Sequence, residues 1–158
     1  MEPLVEYMSA RAHSPESITA IEMDSRVFLI PADEALVMNT AKRVFQNQHV
    51  KDGGFLEAPF YPGIYAFLGT KAPFWDTYYL WPRNDEVQQR HINALVTNGT
   101  SVVLLNRDAS FDKQDWLKID NTYPRLVNFI LGHYAKSAQA LPDGFELYCL
   151  PESSCSAK

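Results

Sequence analysis

Residues 84–106 read NDEVQQRHINALVTNGTSVVLLN, and this run decides the fold. Asn84 is a helix N-cap residue, and Asp85 and Glu86 place negative charge at the positive end of a helix. Val87, His91, Ala94 and Leu95 recur at helical spacing, with Ile92 and Val96 beside them, and Asn98-Gly99 stops the run. SVVLLN follows at once. A continuously apolar strand straight after a Gly-stopped helix is the pattern of a sheet covered by helices, not of a sandwich.

The same grammar extends outward. Asp33 and Glu34 open a helix that turns Val37, Ala41, Val44 and Phe45 to one side. Pro124 starts another, carried by Leu126, Ile130, His133 and Tyr134. VFLI at 27–30 predicts a short strand buried on both faces, Phe55-Leu56 begins a second, and Thr77–Leu80 reads as extended. Gly63–Leu68 predicts a short helix after Pro62 with Gly69 as its stop. Pro142-Asp143-Gly144 separates AQAL from FELYCL, a C-terminal β-hairpin. The expectation is an α/β fold in three layers around a mixed or mostly parallel sheet. A helical lead-in occupies 1–20, one domain 21–152 and a flexible tail 153–158.

The 158 residues, 46% of them apolar, suffice for a core without staples. A net charge of −5 gives no field for a phosphate backbone, so nucleic acid is not an expected partner. No apolar run reaches bilayer-spanning length, and MEPLVEYMSARAH lacks the features of a secretion signal. The chain as given reads as soluble. Cys149 and Cys155 are open to either state, a small disulfide loop or two thiols.

Half of the chain's twenty aromatic residues lie between Phe55 and Trp81, a stretch broken by Pro59, Pro62 and Pro73. Such spacing breaks helices and central strands, leaving short pieces held by rings. Tyr61, Tyr65, Tyr78, Tyr79 and Trp81, with Arg83 beside them, are candidate contacts for a ligand or partner. A ring with a polar edge suits a sugar face, a lipid headgroup or a protein. Packing of the loop itself competes for the same rings. Glu57, Asp76 and Asp108 are the carboxylates from which a sugar-cleaving pair would be drawn. Asp112 reads as a cap of the QDWLK turn. The four histidines form no ligand pair, so no metal site is expected, and His91 and His133 read as core-edge residues satisfied by hydrogen bonds. Dinucleotide, phosphate-loop and nucleophile-elbow motifs are missing, and no cofactor is expected. Asn98-Gly99-Thr100 is formally a glycosylation sequon, although a helix stop explains it.

Taken together, APFYPGIYAFLGTKAP at 58–73, YYLWP at 78–82, NDEVQQRHINAL at 84–95, SVVLLNRD at 101–108 and the run from Tyr123 to Glu152 resemble a known kind of domain. It is the soluble extracytoplasmic tail of multi-pass membrane glycosyltransferases of the protein O-mannosyltransferase and aminoarabinose transferase-like superfamily. The resemblance implies a periplasmic or otherwise extracytoplasmic domain beside a membrane-embedded enzyme portion that uses a lipid-linked sugar donor. A glycan, the lipid-linked sugar or a protein acceptor is then the implied partner. In such enzymes the catalytic acids sit in the membrane portion, so no catalytic role passes to Glu57, Asp76 or Asp108, and the isolated chain is expected to be inactive. A stand-alone carbohydrate-active enzyme and a protein-interaction domain are the alternatives.

Overall fold

A computed structural model of the chain describes residues 18–23, 25–142 and 144–152. The expected lead-in helix up to residue 17 and the tail from 153 lie outside the described residues. The chain divides into two compact units, the first ending at Leu36 and the second beginning at Val37.

In the first unit, β1 (Ile18–Met23) and β2 (Arg26–Pro31) form an antiparallel two-stranded sheet, Ile18 opposite Pro31 and Met23 opposite Arg26. VFLI is a strand, as its β-branched and aromatic content predicts, but not a buried one. Val27 and Leu29 are each 69% exposed. Strand β2 pairs with β1 alone, so continuous apolarity here does not mean burial.

The second unit is an α/β fold. Helix α1 (Ala32–Asn47), whose residues up to Leu36 belong to the first unit, leads through a turn to β3 (Phe55–Ala58), α2 (Gly63–Leu68), α3 (Asp85–Asn98) and β4 (Val102–Asn106). Two short 3₁₀ turns, Phe111–Lys113 and Asp115–Leu117, then precede α4 (Ile119–Thr122), α5 (Pro124–His133), β5 (Ala135–Lys136) and β6 (Phe145–Cys149). The sheet order is β3-β4-β6-β5. Strands β3 and β4 run parallel, and the β4–β6 and β6–β5 pairs are antiparallel, so the sheet is mixed. The C-terminal hairpin therefore pairs Ala135-Lys136 with FELYC, and AQAL forms the connection rather than a strand. Thr77–Leu80 also stays outside the sheet.

Strand alternation divides the core in two. Leu56, Ala58, Val103, Leu105 and Tyr148 pack against Ile92 and Leu95 of α3, Ile119 of α4 and Leu126, Val127 and Ile130 of α5. On the other face Phe55, Val102, Leu104, Leu147 and Cys149 meet Val37, Ala41 and Val44 of α1 and Ile64 and Tyr65 of α2. These are the three layers expected. Strands β3 and β4 are buried at every position, which is why they read as apolar runs broken only by Glu57 and by Asn106 at the end of β4. Cys149 is buried and disulfide-bonded, and Cys155 lies outside the described residues.

The ends of α3 follow the local signals. The Asn84 side chain accepts from the Val87 N–H at 3.0 Å, and Gly99 closes the helix at φ 62°, a left-handed conformation. Asn84→Ala should therefore lower stability by about 1 kcal/mol in denaturant titrations. The start of α5 is built differently, because its N-cap residue, Tyr123, makes no side-chain capping bond. Gln88, from α3, takes over: its Oε1 accepts from the N–H groups of Arg125 (2.9 Å) and Leu126 (3.4 Å). Its Nε2 donates to the Arg83 carbonyl at 2.7 Å.

Candidate functional site

The aromatic segment leaves β3 through a cis Ala58–Pro59 bond and returns at Arg83. Its rings divide by depth. Tyr65, Phe67 and Tyr79 are core residues, with Tyr79 1% exposed. Tyr65 sits edge-on to Phe55, and its hydroxyl accepts from the Glu57 N–H at 2.8 Å. Tyr79 meets Phe74 and Tyr123 edge-on. Tyr65 and Tyr79, candidate contacts by sequence, are thus buried, and both rings pack the segment against the core. Tyr61 is half-buried and packs edge-on against Phe145 of β6 at 5.2 Å.

Tyr78 and Trp81 do face outward, 53% and 55% exposed, as does Trp75 at 86%. Trp81 leans against Trp116 at 6.1 Å, so two distant loops join in one aromatic ledge. Trp116 is absent from the candidates drawn from sequence. The signal that finds it is a lone tryptophan in the polar QDWLK turn. All three tryptophans of the chain are thus more than half exposed, in a domain that buries its tyrosines at 65, 79 and 123.

Arg83 joins a partly buried polar network. The Tyr123 hydroxyl donates to Asp76 Oδ2 at 3.0 Å and accepts from Arg83 Nε at 3.3 Å, while Arg83 Nη2 stands 3.8 Å from the same carboxylate oxygen. Burial pushes the Tyr123 phenol up to about 12, against the opposing pull of Arg83. Arg83 thus pairs with Asp76, while Asp85 meets Arg125 at 3.3 Å. His91 lies parallel to Phe74 at 4.2 Å and to Tyr123 at 5.7 Å. Its Nδ1 is buried without a hydrogen-bond partner, contrary to the expected satisfied histidine, and burial lowers its pKa. Ring stacking does the holding. His133 does bond, Nδ1 to the Phe129 carbonyl at 2.9 Å.

The three candidate carboxylates have separate environments. Glu57 is fully buried on the α1–α2 face of β3, where Oε1 accepts from the Phe60 N–H at 3.1 Å and Oε2 has no partner. Burial raises its pKa to about 8 despite the backbone donors of Tyr61 and Phe60, so it is chiefly the neutral acid at pH 7. Asp76 is 7% exposed and committed to Tyr123 and Arg83. Asp108 alone is exposed, beside a cavity of about 550 Å³ past the end of β4. Asp112 lies in the Phe111–Lys113 turn at φ 51°, and the following turn is closed by an Asp115–Lys118 ion pair at 2.9 Å. Among the described residues, no cluster of three His, Cys, Asp or Glu is placed to hold a metal ion, and no helix is long and apolar enough to cross a membrane.

No family model matches this chain, and no curated protein or solved structure is significantly similar to it.

Proposed function

We propose that this chain is a non-catalytic accessory domain of a membrane glycosyltransferase that uses a lipid-linked sugar donor, and that it orients the acceptor or braces the enzyme's extramembrane loops. The observation that carries this reading is the outward placement of Trp75, Tyr78, Trp81 and Trp116 on a domain that has other aromatic rings to fill its core. An exposed indole costs free energy in water and gains it against a sugar face, a headgroup layer or a partner loop. Arg83, held by Tyr123 at the foot of the ledge, adds a fixed cation. The disulfide at Cys149 supports an oxidising, extracytoplasmic setting.

The carboxylate-pair enzyme is the weaker reading. A glycosidase pair must flank an open site, and Glu57 and Asp76 are both closed off from solvent.

The test is made in the parent enzyme. Replacing Trp81 and Trp116 together with alanine should lower kcat/KM for the acceptor about tenfold, the scale of losing an aromatic contact anchor. Both rings are exposed, so the melting temperature should hardly move. Unchanged transfer would count against the ledge, and a reading frame encoding no membrane-spanning segments would remove the proposal altogether.

A further inference from the structure

We propose that the cavity past the C-terminal end of β4 binds a neutral, polyhydroxylated ligand, a saccharide of one or two rings. This site is separate from the aromatic ledge and goes beyond the accessory role, since it would bind its ligand whether or not a parent enzyme exists.

Its position follows from the sheet. Strands β3 and β4 are the parallel pair, and open α/β sheets place ligands in the crevice beyond the carboxyl ends of such strands. Asn106, the last residue of β4, turns the chain there: its Oδ1 accepts from the N–H groups of Asp108 (3.2 Å) and Ala109 (3.0 Å). Gly144, at φ 84°, brings the entry of β6 against that turn. A Cβ at Gly144 would lie 2.7 Å from Asn106 Oδ1 and 3.3 Å from the Asp108 Cβ, so the two walls meet where only glycine fits. The resulting cavity of about 550 Å³ falls within the usual range for small-molecule sites.

The lining selects the ligand. Among the described lining residues, three cations, Arg107, Lys118 and Lys136, stand with three carboxylates, Asp108, Asp120 and Glu146. Arg107 grips Asp120 through both Nε (3.1 Å) and Nη2 (2.6 Å). Lys136 donates to Glu146 Oε1, and the Tyr148 hydroxyl donates to Glu146 Oε2 at 2.8 Å. Burial pushes Glu146 up, yet these two donors outweigh it and hold the group below its ordinary range. The ion pairs thus fix the charged walls before any ligand arrives, which reduces the ordering cost of binding. Lys118 is turned toward Asp115, and among the described residues the Asp108 carboxylate has no hydrogen-bond or ion-pair partner.

A phosphate entering here would meet the three described carboxylates, and a divalent cation the three described cations; neither gains from described side chains whose formal charges cancel. Hydroxyl groups suit it, because each can donate to a carboxylate and accept from an ammonium or guanidinium at once. Phe145 adds an apolar wall, its ring steadied edge-on by Tyr61, against which the C–H face of a sugar can rest.

The experiment is a titration of the whole chain followed by amide NMR shifts at Ala109, Gly144 and Phe145. The probes are methyl hexopyranosides and neutral disaccharides, with inorganic phosphate and calcium chloride as competitors by class. Saturable shifts with a neutral saccharide at a Kd of about 1–10 mM are expected, a few kcal/mol of binding. Asp108→Asn, at an exposed position, should weaken binding about tenfold through loss of a charge-assisted hydrogen bond. The Trp81→Ala, Trp116→Ala double variant should leave it unchanged, which separates this site from the ledge. Absence of saturation with every neutral saccharide, tighter binding of phosphate or calcium at the same amides, or indifference to both Asp108→Asn and Lys118→Gln would overturn the assignment.

Discussion

Stability should fall as pH rises from about 4.5 to about 8, and Glu57→Gln should remove most of that fall. Glu57 titrates near 4.5 when unfolded and near 8 when folded, so across this window the folded chain holds the proton and the unfolded chain releases it. Proton release therefore favours unfolding at every step up the window, and the loss is complete once pH passes the folded value. Below about 4.5 both states are protonated and the group contributes no slope. At roughly 1.4 kcal/mol per pKa unit the effect reaches a few kcal/mol. Glutamine has the shape of the neutral acid and keeps the Oε1 acceptor used by Phe60, so the variant should match the parent near pH 4.5 and exceed it by about 4 kcal/mol at pH 8. Urea titrations of both proteins at three pH values across the window measure this directly. Parallel profiles would mean that the ionised side chain is accommodated in the fold.

The second large effect is expected at Gln88. Gln88→Leu should destabilise the second unit by about 3 kcal/mol, because one side chain serves three backbone groups inside the core. Leucine fills the space but leaves the first N–H groups of α5 and the Arg83 carbonyl unpaired. Gln88→Glu keeps the acceptor and places negative charge at a helix start, so its loss should be smaller. Thr97→Ala, on an exposed position of the same helix, serves as the reference and should stay within about 0.5 kcal/mol. Equal losses in the leucine and glutamate variants would show that the shape of Gln88, not its bridging acceptor, is what matters.

Local chemistry made much of the fold legible. The Asn84 cap, the Gly69 and Gly99 stops and the Pro124 start each depend on residues within one turn, and each is where the sequence places it. Continuous apolarity was a sound guide to burial in VVLLN, whose strand has neighbours on both sides, and misled in VFLI, whose strand has one. Gln88 escaped notice because a glutamine on a helix reads as solvated, and its partners lie at Arg83 and beyond Tyr123. The site was legible in part. Tyr78 and Trp81 declare themselves by composition, but their meeting with Trp116 depends on how far two loops travel. Asp108 could be placed past a strand end, while Lys136 and Glu146, its companions in the cavity, arrive from the C-terminal hairpin, and no spacing in the chain connects them.

The sheet of the second unit has two edges, and neither invites a strand from another molecule. Strand β3 is buried along its whole length, and β5 is two residues long and ends in an exposed lysine. Short, covered or charged edges are how sheets avoid templating their own polymerisation. The hairpin of β1 and β2 instead exposes Ile18, Val27, Phe28 and Leu29. Self-association at high protein concentration should therefore begin there, and charged substitutions at Val27 and Leu29 should suppress it.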